Sequence, residues 1–378
     1  MHISGREIFL LKYYNKLLPF SALLLNFLIF PTLGEACAHD KAVCNWVNKV
    51  VIVRTGSVIA SAVSLGNNIF VTNKHVVEDN LFVSIQDASG SLVDAYVLPN
   101  DHNADLVLLS QKKDLAIPSI HIQPPKGFEG LRGVGYGIGR GKIRVFPEGE
   151  LISSPLETLK QARIHSTVRN LPGISGGALI NKYGELIGIL TSGSGSYNEA
   201  IPIHILSEVI ARTGSSKQDF LDRGQAFKEC SELLSYVNKS SKKLSKLFWD
   251  ELKKTCNKTE NKTLFDMVGQ AFGAVGLLDD SISFLQKSVE LDPNSPTSLL
   301  SLAIALQFKR AYERQVQVLE HLLQLVQDDP LVLRMSIQAA AFSKNETFAE
   351  KALIAMKENN SRAYTQALDF LRNYFESM

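Results

Sequence analysis

The sequence predicts a multidomain chain in which an all-β region is followed by an all-α region. Up to about residue 212, short apolar segments alternate with turns rich in Gly, Asn, Asp and Ser, which is typical of β-structure. Beyond about residue 214, glycine becomes rare and apolar residues recur at i, i+3, i+4 and i+7, the spacing of an amphipathic helix. The length of 378 residues and the hydrophobic fraction of 45% allow two or three domains with sizeable cores.

Five short strands are predicted in the first part of the β region, because β-branched and apolar residues fall between turn-forming residues. They span residues 50–54, 58–64, 82–86, 93–98 and 106–110. Farther along, residues 123–127 (QPPKG) contain two prolines and a glycine, which disfavour a continuing strand. We therefore expect a crossover between two β subdomains at this point.

Two antiparallel helices are predicted at the start of the helical region, over residues 219–237 and 242–255. This hairpin would bring Cys230 alongside Cys256. The four cysteines allow three pairings, and proximity in the chain favours Cys37 with Cys44 and Cys230 with Cys256. Free buried thiols are the alternative, because an export signal favours an oxidising compartment without proving it.

The N-terminus is predicted to be a signal peptide covering residues 1–36. Basic residues precede an apolar run at residues 17–33, and Gly34 and Ala36 are small residues of the kind that a signal peptidase recognises. We expect cleavage before Cys37 and location in the periplasm or outside the cell. A retained membrane anchor is the alternative, since the apolar run is barely long enough to span a bilayer.

A serine framed by glycines is the most informative local feature. It lies in residues 171–179 (LPGISGGAL), where Gly173 allows the backbone to turn with positive φ. The amides of Gly173 and Ser175 can then point at one oxygen, as an oxyanion hole requires. A tight turn in any β-protein could share this pattern, so the interpretation depends on partners for Ser175.

His75 and Asp105 are the predicted partners of Ser175. A strand-like segment ends just before His75, which should lie on a short helical turn, and Asp105 precedes the apolar segment LVLL. A serine hydroxyl is a poor nucleophile at neutral pH, so an imidazole must accept its proton and a buried carboxylate must orient that imidazole.

These motifs resemble the chymotrypsin-like (trypsin-like) serine proteases, and more closely their HtrA/Deg branch. Residues 72–77 (TNKHVV), 104–109 (ADLVLL) and 172–179 (PGISGGAL) are similar to that branch's T-N-x-H-V-V, D-L-A-V-L and P-G-N-S-G-G-A-L. The resemblance covers roughly residues 45–212. One departure is Ile174, where the family commonly has Asn or Asp, and we expect altered local packing there.

The resemblance implies a double barrel of two six-stranded units. His75 and Asp105 would lie in the first barrel and Ser175 in the second, with catalysis in the cleft between them. Ser175 would be the nucleophile, His75 the general base and Asp105 its orienting carboxylate. HtrA-like enzymes usually carry PDZ domains next, and none is recognisable here.

A second resemblance lies in the helical region. Residues 269–294 are similar to a tetratricopeptide repeat (TPR), with Gly269, Phe272, Ser281 and Pro293 at positions that such repeats favour. A second signal ending at Pro330 is spaced too widely from Pro293 for a regular repeat. Stacked repeats would form a groove for a peptide or partner protein, and a purely stabilising helical cap is the alternative.

The expected domains are a signal peptide (1–36), a trypsin-like serine protease domain (37–213), a helical hairpin linker (214–261) and a TPR-like helical domain (262–378). The predicted function is that of an exported serine endopeptidase acting on protein or peptide substrates. An inactive scaffold that binds peptides or partner proteins through its helices is the alternative.

No cofactor is expected, since the histidines outside the predicted site have no partners at metal-ligand spacing. The net charge of +2 and the lack of a basic stripe argue against a nucleic-acid partner. His102 lies among Asn100, Asp101 and Asn103, which indicate a solvated turn and no role in the site.

Arg169 is the candidate for the base of the specificity pocket, because the resemblance places that base six residues before Ser175. A cation there disfavours cleavage after Lys or Arg. If Arg169 points inward, acidic residues would be preferred. If its side chain extends into solvent, which we favour, the pocket should accept Val, Ala or Leu.

Overall fold

Six antiparallel strands form a closed first barrel in the computed structural model, which describes residues 37–56, 58–87, 90–112, 124–240 and 244–376. The strands follow the order β1-β2-β3-β6-β5-β4 around the barrel. Two short helices, α1 (Lys41–Cys44) and α2 (Lys74–Val77), precede β1 and follow β3. The strands are β1 (Val50–Arg54), β2 (Ile59–Gly66), β3 (Ile69–Thr72), β4 (Phe82–Gln86), β5 (Leu92–Leu98) and β6 (Val107–Ser110).

Seven antiparallel strands form the second sheet, in the order β8-β7-β11-β12-β13-β10-β9. Its edge strands, β8 and β9, are separated in the chain only by Glu150, so the sheet curls back on itself as a half-open barrel. The strands are β7 (Leu131–Gly137), β8 (Lys142–Gly149), β9 (Leu151–Ser153), β10 (Ile164–Ser166), β11 (Ala178–Ile180), β12 (Leu186–Ser194) and β13 (Tyr197–Pro202).

The double barrel confirms the predicted fold class, with one difference in the second unit. The sequence resemblance implied six strands there, and the described residues form seven because β8 and β9 are two parts of one bent edge. All five strands predicted from residue patterns are present, with ends that differ by no more than two residues. Residues 124–127 belong to neither sheet, as expected for a crossover.

Ten helices follow in the described part of the chain. They are α3 (Ile205–Ala211), α4 (Lys217–Lys239), α5 (Lys246–Asn257), α6 (Lys262–Ala274), α7 (Leu278–Leu291), α8 (Pro296–Phe308), α9 (Tyr312–Leu325), α10 (Pro330–Ser343), α11 (Glu346–Asn359) and α12 (Ser361–Glu376). The second predicted helix begins later than expected, because the Ser245 side chain caps α5 by accepting the Phe248 N–H. None of the helices described is long and apolar enough to cross a bilayer.

The helices from α6 to α11 are arranged as three successive pairs. Their first members begin at Lys262, Pro296 and Pro330, each 34 residues after the one before. The prediction that matched Pro293 with Pro330 was therefore wrong in register. Pro330 is the first residue of α10, and the equivalent residue of α8 is Pro296, because proline at the first helical position leaves no hydrogen bond unmade.

A disulfide joins Cys230 on α4 to Cys256 on α5, which confirms that predicted pairing. Both residues are fully buried, and the bridge closes a loop with a sequence separation of 26. By loop-closure entropy it stabilises the hairpin by about 3 kcal/mol. Cys37 and Cys44 are not free thiols, and their pairing with each other stays a prediction. The predicted signal peptide, residues 1–36, lies outside the described residues.

Helix α4 packs directly on the first barrel. The ring of Phe220 is buried within the apolar core formed by strands of that barrel. One turn later, Gly224 lies so close to the barrel that a Cβ atom there would be 2.5 Å from the Glu78 carbonyl oxygen. A residue larger than glycine would separate the helix from the barrel at this point.

A buried ionic cluster joins the second barrel to the helices. The Lys262 ammonium on α6 forms ion pairs with Glu199 on β13 and with Asp292, whose Oδ2 atom is 3.6 Å away. Asp292 also lies 2.8 Å from Nε2 of His165 on β10. His165, Glu199 and Asp292 are ligand types that could hold a metal ion, but the Lys262 ammonium already contacts both carboxylates.

The pKa values within this cluster follow from burial and charge. Burial alone would raise the pKa of Glu199, but the charges of Lys262, His165 and Arg163 lower it to about 2. Burial would likewise lower the pKa of Lys262, and the surrounding carboxylates raise it instead. The cluster is therefore a set of paired charges that holds the α6 end of the helical region against β13.

Candidate active site

The His75 imidazole is held by two contacts with Asp105. Strand β3 ends at Thr72, and the chain turns through Asn73 into α2, which carries His75 as the sequence predicted. Nδ1 of His75 lies 2.6 Å from Oδ2 of Asp105, and the His75 backbone N–H donates to Oδ1 over 2.9 Å. Both carboxylate oxygens therefore fix one residue, and Nε2 is the ring nitrogen left to face a substrate.

Asp105 is buried, and its environment favours the ionised carboxylate. Burial alone would raise its pKa, but the charge and hydrogen bonds of His75, together with the charge of Arg163, hold the pKa below its usual range. The Thr191 hydroxyl lies 3.3 Å from Oδ2 and is a further donor. Sequence reasoning missed Thr191, because it stands in no motif and its partner Asp105 lies 86 positions away in the chain.

The Ser175 hydroxyl also contacts Thr191. Oγ of Ser175 donates to the Thr191 carbonyl oxygen over 2.9 Å, and no hydrogen bond joins it to His75 among the described residues. Thr191 thus touches both Ser175 and Asp105, through its carbonyl and its hydroxyl. The structure therefore brings His75 and Asp105 into direct contact. Ser175 and Asp105 both contact Thr191 on β12.

Two glycines shape the loop around Ser175. Gly173 and Gly176 have φ values of 97° and 81°, in the left-handed region that favours glycine. A Cβ atom on Gly176 would lie 2.0 Å from the Ser61 carbonyl oxygen, so this close approach also requires glycine. In the described part of the chain, the N–H groups of Gly173 and Ser175 donate to no other group.

Ser61 on β2 connects the first barrel to this loop. Its hydroxyl donates to the Gly173 carbonyl over 2.8 Å, and its N–H donates to the Ser175 carbonyl over the same distance. The hydroxyl also accepts the Tyr136 N–H at 2.8 Å. The first two bonds attach the serine loop to the first barrel, and the third joins β2 to β7 of the second sheet. No sequence pattern identified Ser61, because its partners lie far away in the chain.

Residues 55–189 match the family model of the trypsin-like peptidase domain. The chain contains a trypsin-like peptidase domain. The matched residues include His75, Asp105 and Ser175, together with most of the strands of both barrels.

Two curated relatives are similar to part of the chain. A serine protease Do-like HtrA from Lactobacillus helveticus is 31% identical over 143 residues, which are 35% of this chain and 34% of the relative. A serine protease HtrA-like protein from Staphylococcus aureus (strain MRSA252) is 27% identical over 245 residues, 57% of this chain and 31% of the relative. The chain spans about a third of the length of these relatives.

Among solved structures, the active form of the Rv3671c protease from M. tuberculosis has a TM-score of 0.39 and 17% identity, covering 47% of this chain and 85% of that one. The serine endoprotease from Yersinia pestis has a TM-score of 0.37 and 24% identity, covering 45% and 64%.

An aromatic ring from the helical region covers one face of His75. Phe227 on α4 lies with its ring centroid 6.1 Å from that of the imidazole, at an interplanar angle of 28°. A cavity of about 50 Å³ lies between these residues and also borders Lys74 and Arg223. Burial, and then the charge of Arg223, lower the pKa of Lys74 to about 8.

The structure places three further residues that the sequence analysis singled out. Ile174 is fully buried in the core of the second barrel, and the expected change in local packing relative to the family stays a prediction. The side chain of Arg169 is exposed. The prediction that His102 lies in a solvated turn is wrong. His102 is only 2% exposed, and its ring accepts the Ala104 N–H and contacts the Glu208 carboxylate.

Proposed function

We propose that the chain is an exported serine endopeptidase that uses Ser175, His75 and Asp105. The observation that carries this proposal is the 2.6 Å contact between His75 Nδ1 and Asp105 Oδ2, beside a serine loop with two unengaged amides. That contact fixes the imidazole so that Nδ1 keeps its proton and Nε2 accepts one.

Ser175 attacks the carbonyl carbon of the scissile bond in this mechanism. Its hydroxyl first turns from the Thr191 carbonyl towards Nε2 of His75, which accepts the proton as the new carbon–oxygen bond forms. The N–H groups of Gly173 and Ser175 stabilise the negative oxygen. His75 then donates the proton to the leaving amine as the carbon–nitrogen bond breaks. Water, activated by the same imidazole, hydrolyses the acyl-enzyme.

Export and a TPR-like helical domain complete the proposal. The Cys230–Cys256 bridge supports export, because disulfides persist in oxidising compartments. The 34-residue spacing of α6, α8 and α10 supports the TPR-like assignment, since that is the usual length of such repeats.

Covalent labelling by a fluorophosphonate tests the mechanism. We expect the full chain to be labelled at Ser175, because the probe reacts only with a serine that a neighbouring base activates. The Ser175→Ala variant should remain unlabelled, and Ser207→Ala, which changes an exposed serine on α3, should be labelled like the parent. An unlabelled parent chain would instead favour an inactive scaffold that binds peptides.

The second prediction is that cleavage follows small aliphatic residues and not Lys or Arg. Arg169 is exposed and leaves no carboxylate at the predicted base of the pocket. Glu199 is the acidic residue of β13. It forms an ion pair with Lys262 and accepts a hydrogen bond from the Ser192 hydroxyl, so it is unavailable to a substrate cation. Profiling a mixed peptide library should show cleavage after Val, Ala or Leu.

Arg169→Ala is the matched variant for this profile. Since the guanidinium extends into solvent, we expect its removal to change the order of preference little. A strong preference for acidic residues that disappears in Arg169→Ala would show that the side chain turns inward. Dominant cleavage after Lys or Arg would overturn both interpretations.

A further inference from the structure

An apolar groove of about 760 Å³ opens between α6, α8 and the turn that joins β12 to β13. Leu300, Ile304 and Phe308 line it from α8, and their spacing of four residues places them on one helix face. Phe308 is 72% exposed. None of the described residues that line the groove is charged. An exposed apolar surface of this kind is typical of a binding site for apolar chain segments.

The groove lies at the tip of the β12–β13 hairpin, and β12 also carries Thr191 beside Ser175. Ser196 and Tyr197 at the tip of that hairpin form part of the groove wall. Thr191, which contacts Ser175, lies on β12 three residues before Ser194, at the other end of the same segment. Ser196 follows Thr191 by five residues, so at about 3.3 Å per residue the reaction centre and the start of the groove are at most roughly 16 Å apart.

The segment of β12 between these two points has one edge without a strand partner among the described residues, and its Ser192 carbonyl accepts a hydrogen bond from Asn170 Nδ2 over 2.9 Å. Gly193 and Ser194 pair with Asn198 and Tyr197 of β13, and the register of β11 ends at Ile189, so no described strand covers the opposite edge of this segment. An extended peptide can add to such an edge by main-chain hydrogen bonds. If it pairs antiparallel, like every strand pair of this sheet, the chain runs from the scissile bond towards the groove in its N-terminal direction.

We propose that the groove binds the substrate segment N-terminal to the scissile bond, when that segment is extended, uncharged and apolar. This inference rests on the proposed function. In this proposal the helical region binds part of the substrate. It selects unfolded chains, because an extended apolar segment is buried in a folded protein.

Matched fluorogenic peptides with one common cleavage core test this proposal. One peptide is extended upstream by eight apolar and uncharged residues, roughly the length that reaches from Thr191 along the groove. A second carries the same extension downstream. We expect kcat/KM of the upstream peptide to exceed that of the core peptide by about tenfold or more, through a lower KM, and the downstream extension to give no such gain.

Phe308→Ser should lower the ratio of kcat/KM for the upstream peptide to that for the core peptide by about tenfold. Leu247→Ser is the matched control, because Leu247 on α5 is 79% exposed and lies outside the groove. The control should keep the parent ratio. Thermal unfolding followed by circular dichroism verifies that each variant is folded.

A gain confined to the downstream peptide, or a ratio that Phe308→Ser leaves unchanged, would overturn the proposed groove function. Failure of the proposed chemistry is separable, because it would appear as absent fluorophosphonate labelling of the parent chain. Fluorescence anisotropy of the upstream peptide on Ser175→Ala measures binding without turnover. Binding that is weakened by Phe308→Ser in this background supports the groove independently, and equal binding contradicts it.

Discussion

Replacing Ser175 by alanine is expected to lower kcat for peptide hydrolysis by a factor on the order of 10⁶. The variant loses the nucleophile and one hydrogen bond to the Thr191 carbonyl. A single neutral hydrogen bond contributes about 1 kcal/mol, so the Tm should fall by no more than about 4 °C. Steady-state kinetics on the core peptide and calorimetry measure the two effects on the same preparation.

His75→Ala should be about as severe as Ser175→Ala, since the three residues act as a unit. Asp105→Asn should lower kcat by about 10⁴-fold, because the amide would favour the wrong tautomer of His75. The double variant Ser175→Ala/His75→Ala should be scarcely slower than either single variant. Retention of more than a few per cent of parental kcat in Ser175→Ala would disprove the mechanism.

Replacing Lys262 by methionine is expected to lower the free energy of unfolding by about 3–5 kcal/mol at pH 7. The substitution preserves the apolar stem but leaves Glu199 and Asp292 buried without the ammonium that pairs them. Urea unfolding followed by circular dichroism measures the change. Lys254→Met is the matched control, because Lys254 on α5 is exposed and its loss should change stability little.

The pH dependence distinguishes lost ion pairing from lost packing at Lys262. In the parent, the pKa of Glu199 lies at about 2, below its ordinary 4.5, so its stabilising contribution is present above pH 4.5 and disappears as the pH falls. In Lys262→Met, burial raises that pKa, so acidification neutralises an unpaired charge and stabilises the variant. The difference in the free energy of unfolding between the parent and Lys262→Met should therefore shrink from pH 7 to pH 4. A difference that does not change with pH would indicate a packing defect.

The parts of the site that the sequence could predict are those carried by contiguous residues. The motifs around His75, Asp105 and Ser175 each include the local turn or strand that positions the side chain, and the positive φ of Gly173 was readable from the serine loop itself. The strands of the first barrel were predictable for the same reason, since their ends are marked by local turn residues. The sequence prediction missed the 34-residue helix period because it matched Pro330 with Pro293, which lies outside the helices. The equivalent proline is Pro296, at the start of α8.

The remaining parts depend on contacts between residues that lie far apart in the chain. Ser61 bonds to Gly173 across 112 positions, and Thr191 contacts Asp105 across 86. Neither residue stands in a motif, so only the folded chain shows its partner. His102 was misread for a related reason: its polar neighbours indicate a turn, whereas Glu208, on a helix far along the sequence, covers its ring.

Helix α4 also determines the order in which the molecule can be completed during synthesis. The last strand of the first barrel ends at Ser110, yet Phe220 belongs to that barrel's core and Phe227 covers the face of His75. In a chain growing from its N-terminus, the residues of all six strands of this barrel are therefore synthesised before the helix that contributes to its core. The imidazole acquires its final surroundings only after both barrels and the start of the helical region exist. In a nascent chain, the surroundings of His75 are therefore completed only after Phe227 has been translated.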